Sequence, residues 1–394
     1  MSSSRFTRTD AIAALGMFTY ASSIVLTPII LLRIAAELEF GLARGGGIEA
    51  VRAGFLMAIL VASGLAARRF GKIRSLAAGA LILSAGLFGY AAAPSYLVVL
   101  GAVVLVGLGG GVLEALLNPL IQDAHPEDSG RYLNLVNAFF SVGIVVTVLV
   151  LGDLLTRGVS WRLLTAGLGL VSAACGLGFL LLRHREPNPE RDPAAHGVRG
   201  QVRRILSQRR FWLFAVAMFC GGGAEGAFTF WSASYAQLNL DALARGGAFA
   251  TAAFSSGMVI GRLASGHFVK QNQLHVLIIS SALLGVAASL GAWAVSGLAA
   301  FMLVVFAAGL TIACFWPSIQ SHAADELQVD ATMLFILLSV GGIPGFGLAS
   351  WIMGIIAERS DLRTSLLVIP VLLAGLALVM LLSRRGAALR RIHS

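Results

Sequence analysis

Charged side chains are scarce in this sequence: Asp, Glu, Lys and Arg make up 12% of its 394 residues, where soluble domains carry about a quarter. That scarcity, beside 57% hydrophobic residues and a mean hydropathy of +0.85, excludes an ordinary soluble domain. Lysine is almost missing, present only at Lys72 and Lys270, while arginine is abundant; with the Ala, Gly and Leu richness this hints at a GC-rich bacterial genome. Cysteine is rare as well. Cys175, Cys220 and Cys314 lie far apart, each inside an apolar run, so neither a disulfide framework nor metal-ligand spacing is present, and no metal site is expected. The patterns Gly-x-x-x-x-Gly-Lys-Ser/Thr and His-Glu-x-x-His are lacking and the histidines fall at span ends, in loops or in the tail, so neither an enzyme nor a cofactor is expected. No extramembrane segment is long enough for a sensory domain.

Apolar runs, by contrast, fill the chain. Each is roughly 20 residues, the length a helix needs to cross a hydrocarbon core of about 30 Å. Charges, prolines and turn residues divide the sequence into spans near 11–34, 50–68, 75–93, 96–122, 132–156 and 161–183, then 211–237, 244–268, 274–294, 297–322, 330–357 and 363–383. The first is too long for a signal peptide and no small-residue cleavage site follows it, so it is expected to be retained. The expectation is an all-α integral membrane protein of twelve transmembrane helices: a six-helix bundle over 1–183, a cytoplasmic linker over 184–210 and a second six-helix bundle over 211–394.

A net charge of +10 would suggest nucleic acid in a soluble protein. Here the basic residues sit in short connections, where they set orientation, and no nucleic-acid partner is expected. With both termini in the cytoplasm, 20 Lys and Arg fall on the cytoplasmic side, among them eight arginines from Arg183 to Arg210, and 8 on the opposite side. That asymmetry predicts both ends inside. The halves also resemble each other: Ser141-Val142-Gly143 recurs as Ser339-Val340-Gly341, Pro119-x-Ile121-Gln122 as Pro317-x-Ile319-Gln320, and Leu65-Ala66 with Phe70 as Leu263-Ala264 with Phe268, all displaced by 198. Parallel repeats of this kind place a substrate site near the midplane between the halves and work by alternating access.

The loop Gly64-Leu-Ala-Ala-Arg68-Arg69-Phe-Gly71-Lys72-Ile-Arg74 resembles the signature loop of the major facilitator superfamily, with Arg68 where the family carries aspartate. The segments Gly107-Leu-Gly-Gly-Gly-Val-Leu-Glu114-Ala-Leu-Leu-Asn118-Pro119 and Glu225-Gly-Ala-Phe-Thr-Phe-Trp231-Ser-Ala-Ser-Tyr235 are similar to the branch of fucose, glucose and galactose symporters. Gly261-Arg262, Phe315-Trp-Pro317 and Gly341-Gly342 are similar to the same branch. The resemblance implies a monomeric secondary transporter in the bacterial inner membrane, carrying a small solute, a sugar, with protons as the coupling ion. Some branch members hold a second acid in helix one; Ala11 to Ile34 contains none.

An ionisable group near the bilayer centre costs at least about 2.5–3.5 kcal/mol, so it faces a cavity or a partner. Glu114, Glu225 and Arg262 are the three best placed. Glu114 reads as a proton carrier or sugar-hydroxyl acceptor, or as a buried acid held by an asparagine or by Arg262; Asn118 shares its helix face. Glu225 has the same two readings. Trp231 and Tyr235 read as an aromatic platform for a sugar, or Trp231 as an interface tryptophan. Asn118, Gln122, Asn137, Trp316 and Gln320 are candidate cavity residues, with packing at helix ends the alternative. Arg262 reads as a structural ion pair and Asp153 as a solvated or gating residue. Efflux of amphipathic compounds is the rival function; the paired acids and amides favour a polar solute.

Overall fold

The computed structural model describes residues 6–125, 129–182, 198–329 and 331–393. Among these the regular structure is entirely helical. The linker stretch 184–197 and the side chain of Arg68 lie outside the described residues.

Two compact units emerge, one of residues 1–40 and 51–191, the other of 41–50 and 192–394. The first holds α1 (Arg8–Glu37), most of α2 (Leu42–Phe70), α3 (Lys72–Ala92), α4 (Tyr96–Ala124), α5 (Ser129–Thr156) and α6 (Trp161–Leu182). The second holds α7 (Val198–Leu206), α8 (Arg209–Asn239), α9 (Ala244–Phe268), α10 (Leu274–Ala294), α11 (Leu298–Ile312), α12 (Phe315–Leu327), α13 (Ala331–Arg359), the short α14 (Leu362–Ser365) and α15 (Val368–His393). Residues 41–50, the opening turns of α2, group with the second unit; there the N–H of Ala43 donates to Glu358 Oε1 at 3.0 Å.

Among the described residues ten helical segments are long and apolar enough to cross a membrane. Twelve were expected, and α2 and α9 are the two outside that count. At 29 and 25 residues both are long enough; the side chains of Val61 and Arg68 on α2 lie outside the described residues, and on α9 Arg245 and Arg262 with many glycines and serines dilute the hydropathy. The span expected over 297–322 is broken between α11 and α12. Pro317 has no N–H to donate to the carbonyl of Ala313, four residues back, and the helix is interrupted at 313–314.

The start of α1 shows why these ends form where they do. Thr7 and Asp10 make a capping box: Asp10 N donates to Thr7 Oγ1 at 3.2 Å and Thr7 N to Asp10 Oδ2 at 2.7 Å. The other oxygen of Asp10 meets His125 Nε2 at 2.8 Å, tying the start of α1 to the end of α4. Close helix approach rests on glycine. A Cβ on Gly109 would lie 2.6 Å from the carbonyl of Gly79, so α3 and α4 touch backbone to backbone.

The helix boundaries repeat in a register the motifs do not show. Helices α3 and α4 begin at 72 and 96, and their counterparts at 274 and 298, a displacement of 202. The motif displacement of 198 still fits the ends of α2 and α9, at 70 and 268, and the 3-10 turn Gln271–Gln273 in the next connection lengthens the second unit there. Pro317 therefore sits about one turn earlier in its helix than Pro119 does, and Asn118 and Trp316 occupy different depths from their helix starts.

Each unit carries an arginine clamp at the corresponding rim. Arg162 Nη1 donates to the carbonyls of Ala91 and Ala93, both at 2.8 Å, its Nη2 meets Glu37 Oε1 at 2.8 Å, and its Cζ lies 4.4 Å over the Trp161 ring. Arg363 Nε donates to the carbonyl of Trp293 at 2.8 Å and its Nη2 to Ala294 at 3.3 Å, with Cζ 5.4 Å over the Trp293 ring. Both guanidinium groups satisfy carbonyls left over at a helix C-terminus, that of α3 in one unit and α10 in the other.

Candidate functional site

In the first unit the polar side chains converge on α4. The glycine run at 109–111 lets other helices lie close, and the Tyr20 ring of α1 runs along Gly110, 3.4 Å from where a Cβ would stand. One turn further along α4, Glu114 lies beside the Tyr20 side chain. Glu114 retains an exposed side chain and, among the described residues, makes no ion pair. Another turn on, Asn118 Oδ1 accepts from Asn137 Nδ2 of α5 at 2.8 Å. A carboxylate, a phenol and two amides thus line about two turns of one helix face, an array that offers donors and acceptors to hydroxyl groups. Gln122 is exposed near the end of α4, and Asp153 pairs with Arg157 one turn away at 2.7 Å.

The second unit is organised differently. Arg262 of α9 donates through Nη2 to Glu225 Oε1 of α8 at 3.3 Å and reaches the Ala313 carbonyl through Nε at 3.5 Å. The acceptor at Ala313 is the one Pro317 releases, so the break in the helix supplies the second anchor of the arginine. The partner of Arg262 is Glu225 rather than Glu114. Trp316 is half-buried against Gly342, where a Cβ would stand 2.7 Å from Trp316 Cζ3. Gln320 donates to Ser339 Oγ at 3.0 Å and to the Phe335 carbonyl at 3.4 Å, joining α12 to α13.

Trp231 and Tyr235, expected to form a sugar platform, are 0% and 1% exposed. The Trp231 indole donates to the Ser350 carbonyl at 3.0 Å and the Tyr235 ring packs tilted against Phe301 at 4.7 Å, so both are packing groups. Helix geometry supplies the reason. At about 100° per residue, Trp231 and Tyr235 lie roughly 240° and 280° around α8 from Glu225, on another face. In the signature loop, Gly71 has φ +90°, a conformation that favours glycine, and Arg69 lies over Phe70, while Gly64 is exposed. Lys72 pairs with Asp123, binding this loop to α4 although no aspartate stands at Arg68. Reading the sequence alone misses Tyr20 and the clamps of Arg162 and Arg363. A lone tyrosine in an apolar span is a weak signal, and the two arginines are displaced by 201, outside the motif register.

A groove of about 450 Å³ between α2, α3 and α4 is walled by apolar residues such as Ile59, Phe70 and Val112, and none of Glu114, Asn118 or Asn137 lines it.

The model of the Major Facilitator Superfamily matches residues 12–323. The membrane protein MosC of Rhizobium meliloti is 27% identical over 305 residues, covering 76% of this chain and 72% of that protein. Among solved structures, the nucleoside transporter NupG superposes with a TM-score of 0.76 at 13% identity, covering 95% of this chain and 98% of that one. The Escherichia coli fucose:proton symporter FucP superposes with a TM-score of 0.63 at 19% identity, again over 95% and 98%.

Proposed function

The chain belongs to the Major Facilitator Superfamily, and from that premise we propose that it is a proton-coupled secondary transporter carrying a small polar solute, a sugar, by alternating access. The observation that carries the reading is the contrast between its two membrane carboxylates. Glu225 is held by the guanidinium of Arg262, whereas Glu114 makes no ion pair among the described residues, lies beside the neutral phenol of Tyr20 and has an exposed side chain. An exposed carboxylate within a span faces water rather than lipid, because lipid exposure costs at least about 2.5–3.5 kcal/mol. With no cation among the described residues fixing its charge, Glu114 can take up and release a proton as its cavity changes side, and Arg262 keeps Glu225 in a structural role. The amide pair Asn118 and Asn137, one turn from Glu114, supplies the hydroxyl-binding chemistry of a sugar site.

The fucose and nucleoside carriers that share the fold are consistent with a polar cargo, and the excess of basic residues in alternate connections supports cytoplasmic termini for a twelve-helix carrier. The test is uptake of radiolabelled hexoses, deoxyhexoses and nucleosides into proteoliposomes with and without an inward proton gradient. Gradient-driven uptake of a sugar that Glu114→Gln abolishes, and Tyr20→Phe reduces by about tenfold, is the expected result. Extrusion of lipophilic cations with no sugar movement sinks the reading in favour of efflux.

A further inference from the structure

The segment joining the halves ends in a helix that the transport reading does not use. Helix α7 has the sequence Val-Arg-Gly-Gln-Val-Arg-Arg-Ile-Leu over Val198–Leu206, and only two residues, Ser207 and Gln208, separate it from the span that begins at Arg209. Its apolar positions Val198, Val202 and Ile205 follow helical spacing, and Ile205 is buried against the second unit. On the other side Arg203 and Arg204 are exposed, as is Arg209 just beyond. Beside them lies exposed apolar surface: Leu206 is 37% and Trp212 56% exposed, and the Trp212 indole donates to the Leu206 carbonyl at 3.0 Å. That bond fixes the depth of the helix. Trp212 stands at the start of a membrane span with its ring outward, where tryptophan marks the level of lipid headgroups, and it holds the end of α7 at the same level. Cations and apolar rings on one short stretch at headgroup depth match a surface that is anionic outside and hydrocarbon within.

We propose that α7, with Arg203, Arg204 and Arg209 around Trp212, is a docking site for anionic phospholipids of the surrounding bilayer. The guanidinium groups take the phosphodiesters as charge-assisted donors, while Leu206 and Trp212 contact the upper acyl chain. The chemistry selects by charge, so phosphatidylglycerol is preferred over zwitterionic phosphatidylcholine, by about fivefold per engaged arginine.

The experiment uses the full chain in vesicles of phosphatidylcholine containing a small fraction of phosphatidylglycerol. The emission of Trp212, obtained as the difference from Trp212→Phe, is quenched by bromine on the acyl chains of one lipid or the other. The expected result is several-fold stronger quenching by brominated phosphatidylglycerol than by brominated phosphatidylcholine at equal mole fraction. The preference falls at roughly 0.5 M salt, falls in Arg203→Gln/Arg204→Gln, where only Arg209 remains, and is kept in Arg203→Lys/Arg204→Lys. Equal quenching by the two lipids in the wild-type chain overturns the proposal. So does a preference undiminished by both high salt and the double glutamine change. Should the glutamine variant not fold, salt dependence in the wild-type and lysine chains decides the matter.

Discussion

Arg262 is held by one carboxylate and one backbone carbonyl, and its attachment to Glu225 is open to a double-mutant cycle. At 3.3 Å the Coulomb attraction is about 1 kcal/mol at the dielectric constant of water and about 5 kcal/mol at an effective value of 20. The side chains are 40% and 23% exposed, which places the pair between those limits. Desolvation offsets part of the gain, so a coupling energy of about 1–3 kcal/mol is expected. Glu225→Gln and Arg262→Gln should each destabilise the protein, the first by leaving a permanently charged guanidinium without its counter-ion, the second by leaving an unpaired carboxylate. The double change should cost less than the sum of the two. Unfolding in mixed detergent micelles gives the four free energies. Additivity to within about 0.3 kcal/mol would falsify the claim that this pair, rather than packing around it, secures α9 to α8. The Ala313 carbonyl provides an internal check, since Pro317→Ala restores a donor to it and should weaken the hold on Arg262 without touching Glu225.

Three other outcomes follow from the geometry. Arg162→Ala and Arg363→Ala should each lower stability by about 1–2 kcal/mol in the same unfolding assay, Arg162 the more because it also holds Glu37 and Trp161. Gly342→Val should cost about 1–3 kcal/mol by driving a side chain into the Trp316 ring; Gly101→Ala, with nothing within 4 Å of the new Cβ, should be neutral or stabilising. Asp361 caps α14 by accepting from Thr364 N and Oγ1, both at 2.7 Å, and the side-chain bond from Thr364 holds its carboxyl below the ordinary range. A depressed carboxyl stabilises at pH values above its unfolded range and loses that contribution as pH falls through the folded value. The thermal stability of Asp361→Ala should therefore trail the wild type by about 1 kcal/mol at neutral pH, and the gap should close as the pH is taken below about 4.

Much of the fold was legible because lipid imposes one simple rule: a crossing needs some 20 apolar residues, and such runs stand out in a sequence with 12% charge. What fixes a helix's rotation about its axis is less visible. The spacing of Glu225, Trp231 and Tyr235 resembled a sugar platform, yet the angular offset along α8 turns the two aromatic rings into the protein. Glu114 and Asn118, four residues apart, share a face, and the amide there does meet a second amide at Asn137. The duplication was legible in its existence but not in its register, because short motifs survive at 198 while the helices themselves begin 202 apart. Helix α7 escaped notice since nine residues with three arginines carry no apolar run.

The paired clamps of Arg162 and Arg363 divide the labour of the chain. Each fastens the third span of its unit to the beginning of the sixth, and Glu114, Asn118, Asn137, Glu225 and Arg262 all stand on helices the clamps do not touch. One set of helices forms a chassis whose sequence answers to packing and lipid. The other is a set of exchangeable working parts, and a change of cargo can be written there without loosening the frame that holds them.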